Sequence, residues 1–399
     1  MSRAIYEEVH EQYRDSVKTF IKREITPHYG RWEAEGGIDM SAFAAAIDAG
    51  IYGLEIPEKF GGPGETDVRY RMVVNEEMAL ARATTFSISV ANQDDMVLVY
   101  LLDLATPDQL DRWMPRLAAG EMVGAVAMTE PGAGSDLRGI ATMARRDGDG
   151  WVLSGRKTFI TNGTIAGIVI VAARTERDDG SLGFSLFVVE DGMPGFERGR
   201  PLQKVGLHSQ DTGELFFDEV RLPQENMLGE LGSGLSQLKK HLPRERLSTT
   251  LGAVADARAI YELTAAYCFE RKAFGQAIGE FQNTRFALAE MATELDIAEA
   301  YLDALALRHN AGTLTATDAA KGKWWTTELQ KKIVDRCLQL HGGYGYMIEY
   351  PVARAFVDSR VQTIYGGTTE IMKEIVGRDI AASFNSATVE KRVGGQSSS

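Results

Sequence analysis

Beginning at Arg285, the apolar residues Leu288, Met291, Leu295, Ala298, Leu302 and Leu305 follow one another at alternating steps of three and four. That is the spacing of one face of an α-helix. Glu290, Glu294, Glu299 and Asp303 fall mostly off it, so the stretch predicts a long bundle helix with a solvated side and a stripe that is core. Helical texture also runs from Glu7 to about Leu117. Its breakers gather at Phe60-Gly61-Gly62-Pro63-Gly64 and Thr106-Pro107-Asp108, the second of which predicts a helix entry. Between about Val123 and Leu231 the segments shorten. Gly167-Ile168-Val169-Ile170-Val171, Phe184-Ser185-Leu186-Phe187-Val188-Val189 and Glu214-Leu215-Phe216-Phe217 read as strands separated by Gly, Asn and Asp, without regular alternation with helices. The pattern predicts a helical domain over 1–120, a β-domain over 121–233 and a helical bundle over 234–385. A frayed tail over 386–399 follows, closing on Gly394-Gly395-Gln396-Ser397-Ser398-Ser399.

The charge balance narrows the partners. Lys plus Arg number 43 against 56 for Asp plus Glu in 399 residues, a formal net charge of -13, and no basic run offers a nucleic-acid surface. No apolar run approaches the ~20 residues that span a bilayer. Met1-Ser2-Arg3-Ala4-Ile5-Tyr6-Glu7-Glu8 has neither the apolar core of a secretory signal nor the Arg-rich character of a transit peptide, so a cytoplasmic location is expected. Cys268 and Cys337, each in a helical stretch, read as buried reduced thiols.

Several chemistries are set aside by motif. His10, His28, His208, His241, His309 and His341 lack the spacing of a helical zinc site and have no nearby cysteine pair, so no metal is expected. Gly132-Ala133-Gly134 begins like a dinucleotide fingerprint, but Leu137 occupies the third glycine position and no strand-helix-strand unit surrounds it. Neither a nucleophile elbow nor a Walker sequence occurs.

Three glycine-rich stretches remain: Met128-Thr129-Glu130-Pro131-Gly132-Ala133-Gly134-Ser135-Asp136, Gln339-Leu340-His341-Gly342-Gly343-Tyr344-Gly345-Tyr346 and Ile364-Tyr365-Gly366-Gly367-Thr368-Thr369-Glu370. Alone, the first is a tight turn and the others are helix stops. With Lys157-Thr158-Phe159-Ile160-Thr161-Asn162-Gly163 and Arg271-Lys272-Ala273-Phe274-Gly275 they stand in the order found in acyl-CoA dehydrogenases, which the chain resembles from about residue 5 to residue 383. The resemblance implies an α+β protein with an N-terminal helical domain, a middle β-barrel-like domain and a C-terminal four-helix bundle, assembled as a homotetramer with one FAD per subunit. It implies that Met128, Thr129, Gly134, Ser135, Phe159 and Thr161 line the flavin. Arg271, Phe274, Gln282, Gln339, Gly342 and Gly343 would reach the FAD of a neighbouring subunit, and Thr368 and Glu370 would complete the site. The residue types suit these roles: hydroxyls for the polar edge of the ring system, an aromatic face at Phe159, a fixed charge at Arg271 for the pyrophosphate.

By the same resemblance a carboxylate removes the α-proton of an acyl thioester while a hydride leaves the β-carbon. Many relatives read Tyr-Glu-Gly-Thr at the third motif. Here Gly366 stands at the glutamate position. The long-chain and isovaleryl types supply the base within Glu-Arg-Leu at the start of the C-terminal domain, and Leu242-Pro243-Arg244-Glu245-Arg246-Leu247 is similar, which makes Glu245 the expected base. Gly366 would keep the backbone N–H that stabilises the enolate oxygen. Ser135, Arg246, Tyr365 and Gly367 would contact the acyl-CoA. An electron-transfer flavoprotein is the implied acceptor. Alternatives on the same scaffold are a dehydrogenase of carrier-protein-bound thioesters and a flavin oxidase or monooxygenase. A flavin-free binding protein is the alternative of another class.

Overall fold

A computed structural model describes residues 3–177 and 179–385, which excludes the expected tail over 386–399. The chain opens with α1 (Glu8–Phe20), α2 (Thr26–Glu35), α3 (Met40–Asp48), α4 (Val68–Leu80), α5 (Thr84–Asn92), α6 (Leu98–Leu104) and α7 (Pro107–Ala118). The entry expected at Thr106-Pro107 is the start of α7. The Thr106 side chain accepts from Gln109 N, Gln109 answers with its own side chain to Thr106 N, and Pro107 sits where no helix hydrogen bond is lost. A π-helical turn, Gln93–Val97, joins α5 to α6 and presents Asp94 and Asp95 to the interior.

The middle of the chain supplies β1 (Gly124–Ala127), β2 (Met143–Asp147), β3 (Gly150–Thr161), β4 (Ile168–Glu176), β5 (Leu182–Glu190), β6 (Phe196–Arg198), β7 (Thr212–Leu222) and β8 (Met227–Leu228). They form one eight-stranded sheet in the order β6-β7-β3-β2-β4-β5-β8, with β1 pairing parallel to β4. The unbroken apolar run of β4 has a two-sided cause. Ile168, Ile170 and Ala172 join a core shared with the first helical domain, whereas Val169, Val171 and Ala173 join Trp151 and Phe187 in the interior of the β-domain.

The helices then return as α8 (Gly234–Glu270), α9 (Gln282–Asn310), α10 (Ala316–His341), α11 (Pro351–Ser359) and α12 (Thr369–Asn385), with the small hairpin β9 (Lys272–Ala273) and β10 (Gln276–Ala277) between α8 and α9. All six residues of the stripe on α9 are buried, each worth roughly 1–3 kcal/mol of apolar burial against α8 and α10. Gly322 on α10 permits a close crossing. A β-carbon there would stand 2.6 Å from Leu305 of α9 and 3.3 Å from Thr250 of α8, so its absence lets α10 seat closely between the two. Cys268 and Cys337 are buried and unbridged. Among the described residues no helix is long and apolar enough to cross a membrane, and no group of three or more His, Cys, Asp or Glu is placed to hold a metal ion.

Candidate active site

Glu245 lies in the fourth turn of α8, just after Pro243, whose ring nitrogen cannot bond the preceding turn. Its neighbour Arg244 does not pair with it. Arg244 instead turns to the N-terminal domain, binding Glu55 at 2.6 Å and Asp95 at 3.2 Å, and Ser248 donates to Asp95 at 2.5 Å. The helix is thus pinned to the π-helical turn on both sides of Glu245. Among the described residues the Glu245 carboxylate makes no hydrogen bond or ion pair. Burial pushes it above the ordinary carboxylate range, and the charges of Arg246 and Lys323 pull it partly back.

Gly366 faces this carboxylate. A β-carbon on Gly366 would meet Glu245 Oε1 at 3.4 Å, Lys323 Cε at 4.0 Å and Thr249 Oγ1 at 4.0 Å. The backbone here is left-handed at two successive positions, φ +61° at Gly366 and +99° at Gly367, which glycine alone adopts without cost. Both carbonyls end on buried cations. Arg246 Nε donates to Gly366 O at 3.3 Å and Lys323 Nζ to Gly367 O at 2.7 Å. Tyr365, the residue before, is pushed upward in pKa by burial and by the negative field of Asp256 and Glu245. Tyr100, whose buried hydroxyl has no partner among the described residues, is likewise raised by burial and by the charge of Glu245. Glu245, Gly366, Gly367, Tyr365 and Arg246 therefore converge.

A second group of expected residues gathers at the edge of the sheet. The loop after β1 carries Met128 and Thr129 against β3, where Thr158 N donates to Thr129 O at 3.0 Å and Lys157 Nζ to Met128 O at 3.1 Å. Lys157 also binds Glu130 at 2.8 Å, and Glu130 accepts the backbone N–H groups of Ala141 and Thr142. That buried pair ties the Gly132–Asp136 loop to the strand behind it. Burial lowers the Lys157 ammonium to about 8, opposed by Glu130. The β3–β7 register shifts between Lys157 and Ile160, and at the resulting bulge Phe159 has φ +59° and a ring 68% exposed. A bulky residue in this region of backbone costs free energy, and such strain persists where the presented side chain is used. A strained, outward aromatic face beside Thr161 and the Thr129 backbone fits a planar ring cofactor. Gly134 and Ser135 lie exposed on the same loop.

The remaining expected residues do not join these groups within one chain. Arg271 ends α8, Phe274 tips the β9–β10 hairpin, Gln282 opens α9, and Gln339, Gly342 and Gly343 close α10, where Arg271 lies 5.8 Å over the Tyr344 ring. All occupy one end of the bundle. From Glu245 to Arg271 the rise along α8 is about 39 Å. Thr368 and Glu370 lie instead at the start of α12, where Thr368 Oγ1 accepts from Ile371 N at 3.4 Å and the Glu370 carboxyl is held low by hydrogen bonds to its own backbone and to Thr368.

Lys323, Lys157, Glu130 and Tyr100 were not among the expected site residues. Lys323 carried a readable signal, because it falls on the buried face of α10 with Ala319, Thr326 and Gln330, at helical steps of four, three and four.

Three family models match successive parts of the chain: acyl-CoA dehydrogenase N-terminal domain over residues 7–121, middle domain over 125–220 and C-terminal domain over 232–381. The chain is 43% identical to the long-chain specific acyl-CoA dehydrogenase, mitochondrial, of Sus scrofa, over 95% of this chain and 88% of that one. It is 32% identical to the isovaleryl-CoA dehydrogenase, mitochondrial, of Solanum tuberosum, over 94% and 91% respectively. Among solved structures, the acyl-CoA dehydrogenase from Geobacillus kaustophilus superposes with a TM-score of 0.91 at 41% identity, covering 95% of this chain and all of that one. A glutaryl-CoA dehydrogenase from Mycobacterium smegmatis in complex with FADH2 gives 0.88 at 28% identity, covering 95% and 96%. A structure described as the electron transferring flavoprotein of Acidaminococcus fermentans gives 0.89 at 29% identity, covering 95% and 99%.

Proposed function

The chain belongs to the acyl-CoA dehydrogenase family, FAD-dependent enzymes acting on acyl-CoA, and on that premise we propose that Glu245 is the base of the α,β-dehydrogenation, working opposite the backbone of Gly366. One observation carries the assignment: the 3.4 Å between Glu245 Oε1 and the place where a side chain on Gly366 would begin. A base from α8 and a base from position 366 would occupy the same space, so the glycine is the complement of the glutamate. Glu245 has what the task requires. It is desolvated enough for a raised proton affinity and has no partner to detach from before it takes the α-proton. Gly366 N–H polarises the thioester oxygen as charge develops there.

FAD supplies the hydride acceptor when bound. Met128, Thr129, Gly134, Ser135, Phe159 and Thr161 would hold it from the β-domain, with Thr368 and Glu370 beside the turn. Ser135, Arg246, Tyr365 and Gly367 would contact the acyl-CoA, which leaves as the trans-2-enoyl product. We assign Arg271, Phe274, Gln282, Gln339, Gly342 and Gly343 to the cofactor of a neighbouring subunit in a homotetramer. The distance along α8 supports this, since one end of the bundle completes nothing in its own chain, and so does Phe274, whose ring is 96% exposed on a left-handed turn residue. Domain limits at 120/121 and 233/234 follow the change of element type. An electron-transfer flavoprotein as acceptor rests on the family and on the Acidaminococcus fermentans likeness. Cytoplasmic residence rests on two buried free thiols, which suit a reducing compartment.

The test is Glu245→Gln. It removes the proton acceptor and little volume, and is expected to slow flavin reduction by an acyl-CoA at least ~10³-fold while FAD and thioester still bind. Near-normal reduction in a stopped-flow trace would reject Glu245.

A further inference from the structure

Lys323 is a fully buried lysine whose ammonium makes, among the described residues, one hydrogen bond, to the carbonyl of Gly367. A neutral donor would serve that carbonyl at much lower desolvation cost, so the charge needs its own explanation. Four ionisable groups set its electrostatic surroundings: Glu245 and Arg246 from α8, Glu328 from the next turn of α10, and Glu370 from the start of α12. Two of the three anions are otherwise engaged. Glu328 binds Lys331 at 2.5 Å and accepts from Thr369 at 2.9 Å, while Glu370 is exposed and bonded to Thr368. Glu245 alone has no close partner, and Lys323 and Arg246 are the cations acting on it.

Gly366 and Gly367 both have positive φ, and such a turn has many alternatives open to it unless held. Its two carbonyls are held by cations from different helices, Arg246 of α8 and Lys323 of α10, and Gly322, the residue before Lys323, seats α10 closely against Leu305 of α9 and Thr250 of α8. Resting on the assignment of Glu245 as base, we propose that Lys323 is a positioning residue of the dehydrogenation: it anchors the Gly366–Gly367 turn and is the fixed countercharge of the Glu245 carboxylate. When the α-carbon–hydrogen bond breaks, the proton forms an O–H bond on Glu245 and neutralises it, while negative charge develops on the thioester oxygen beside Gly366. Burial lowers the ammonium to about 8, so below that pH it remains a cation, and its attraction passes from the base to the developing enolate without any group having to move.

The experiment compares Lys323→Met, which removes charge and donor, with Lys323→Arg, which keeps the charge. The first readout needs no turnover: the protonation midpoint of Glu245 from the infrared carboxyl band that disappears in Glu245→Gln. Removing a cation favours the neutral carboxyl, so Lys323→Met should raise that midpoint by about one pH unit or more, and Lys323→Arg should stay within a few tenths of wild type. The second readout is the pH profile of flavin reduction, whose acid limb should move upward in step with the midpoint, with a maximal rate at least ~10-fold lower from the loosened turn. Where Lys323→Met does not fold, Lys323→Gln, uncharged and of similar volume, gives the same two readings. An unchanged midpoint and limb in a folded uncharged variant would overturn the proposal and leave Lys323 as packing. The base assignment fails separately, and only if Glu245→Gln reduces flavin normally.

Discussion

Glu245 Oε1 stands 3.4 Å from the point where a β-carbon on Gly366 would be, so positions 245 and 366 compete for one volume beside the same peptide. Gly366→Glu alone should therefore put two carboxylates in one desolvated pocket, raising the pKa of at least one, and should lower activity. The left-handed backbone at 366 adds roughly 1–2 kcal/mol of strain. Adding Glu245→Gly returns the pocket to one carboxylate on the opposite wall, so part of the flavin-reduction rate should return, with preference shifted to shorter, straight acyl chains. Measured as a double-mutant cycle, the two changes should be strongly non-additive. A double variant as inactive as Glu245→Gly, with FAD and product still bound, would refute the shared position.

Asp256 offers a pH test of the packing behind the site. It is half-buried on α8, accepts from Thr84 Oγ1 at 2.9 Å and from Gln330 Nε2 at 3.5 Å, and desolvation raises it to about 7 from an ordinary 3.8. The folded chain then binds more protons at this group than the unfolded chain between those values. Stability should fall as pH rises from about 4 to about 7 and level off above. Asp256→Asn removes that loss, and with the Gln330 amide turned over, the new amide can donate to Gln330 Oε1, a buried acceptor without a partner among the described residues. The variant should melt higher at pH 8, by the equivalent of about 1–3 kcal/mol, and differ little at pH 4, as scanning calorimetry at the two pH values would read.

Lys157→Met is expected to damage the loop proposed to face the flavin. It leaves Glu130 as a buried carboxylate without its cation and frees the Met128 carbonyl, a loss of about 3–5 kcal/mol for a pair broken from one side. Flavin content after gel filtration should drop, and added FAD should restore the melting temperature only in part. Full flavination with wild-type melting would remove the pair from the cofactor site.

How much of this was legible beforehand depends on whether the cause is local. The α9 stripe, the Thr106-Pro107 helix start and the strands around β4 follow from period and capping, which a sequence displays directly. Glu245 was reachable because a missing side chain at 366 demanded a substitute elsewhere, and the match to Glu-Arg-Leu supplied it. Lys157 and Lys323 were not picked out, because each acts on a backbone carbonyl distant in sequence, 29 and 44 residues away. Pairing of that kind is set by the seating of the turn before α12 on α10 and by the fold of the β1 loop onto β3; the period of α10 marks Lys323 as buried but names no partner for it. The engagement of Arg244 with Asp95 belongs here too, since the two lie 149 residues apart in sequence.

Phe274 gives the test of assembly. Its ring projects from a two-residue turn between β9 and β10, 96% exposed, so in the isolated chain it contributes almost nothing to folding. In the proposed homotetramer the same ring is buried against a neighbouring subunit, where a charge would be desolvated without a partner. Phe274→Asp should leave the far-ultraviolet spectrum of the folded chain unchanged. It should also shift the sedimentation profile from tetramer toward smaller species, and lower FAD retention with it, because Arg271 and the Gln339–Gly343 stretch sit on the same end of the bundle. Arg271→Ala, which removes a charge and leaves the hairpin intact, should weaken FAD retention more than assembly. The two variants separate the roles: a flavinated, tetrameric Phe274→Asp protein of wild-type stability would place the interface elsewhere, and full flavin retention in Arg271→Ala would remove the charge from the cofactor's pyrophosphate.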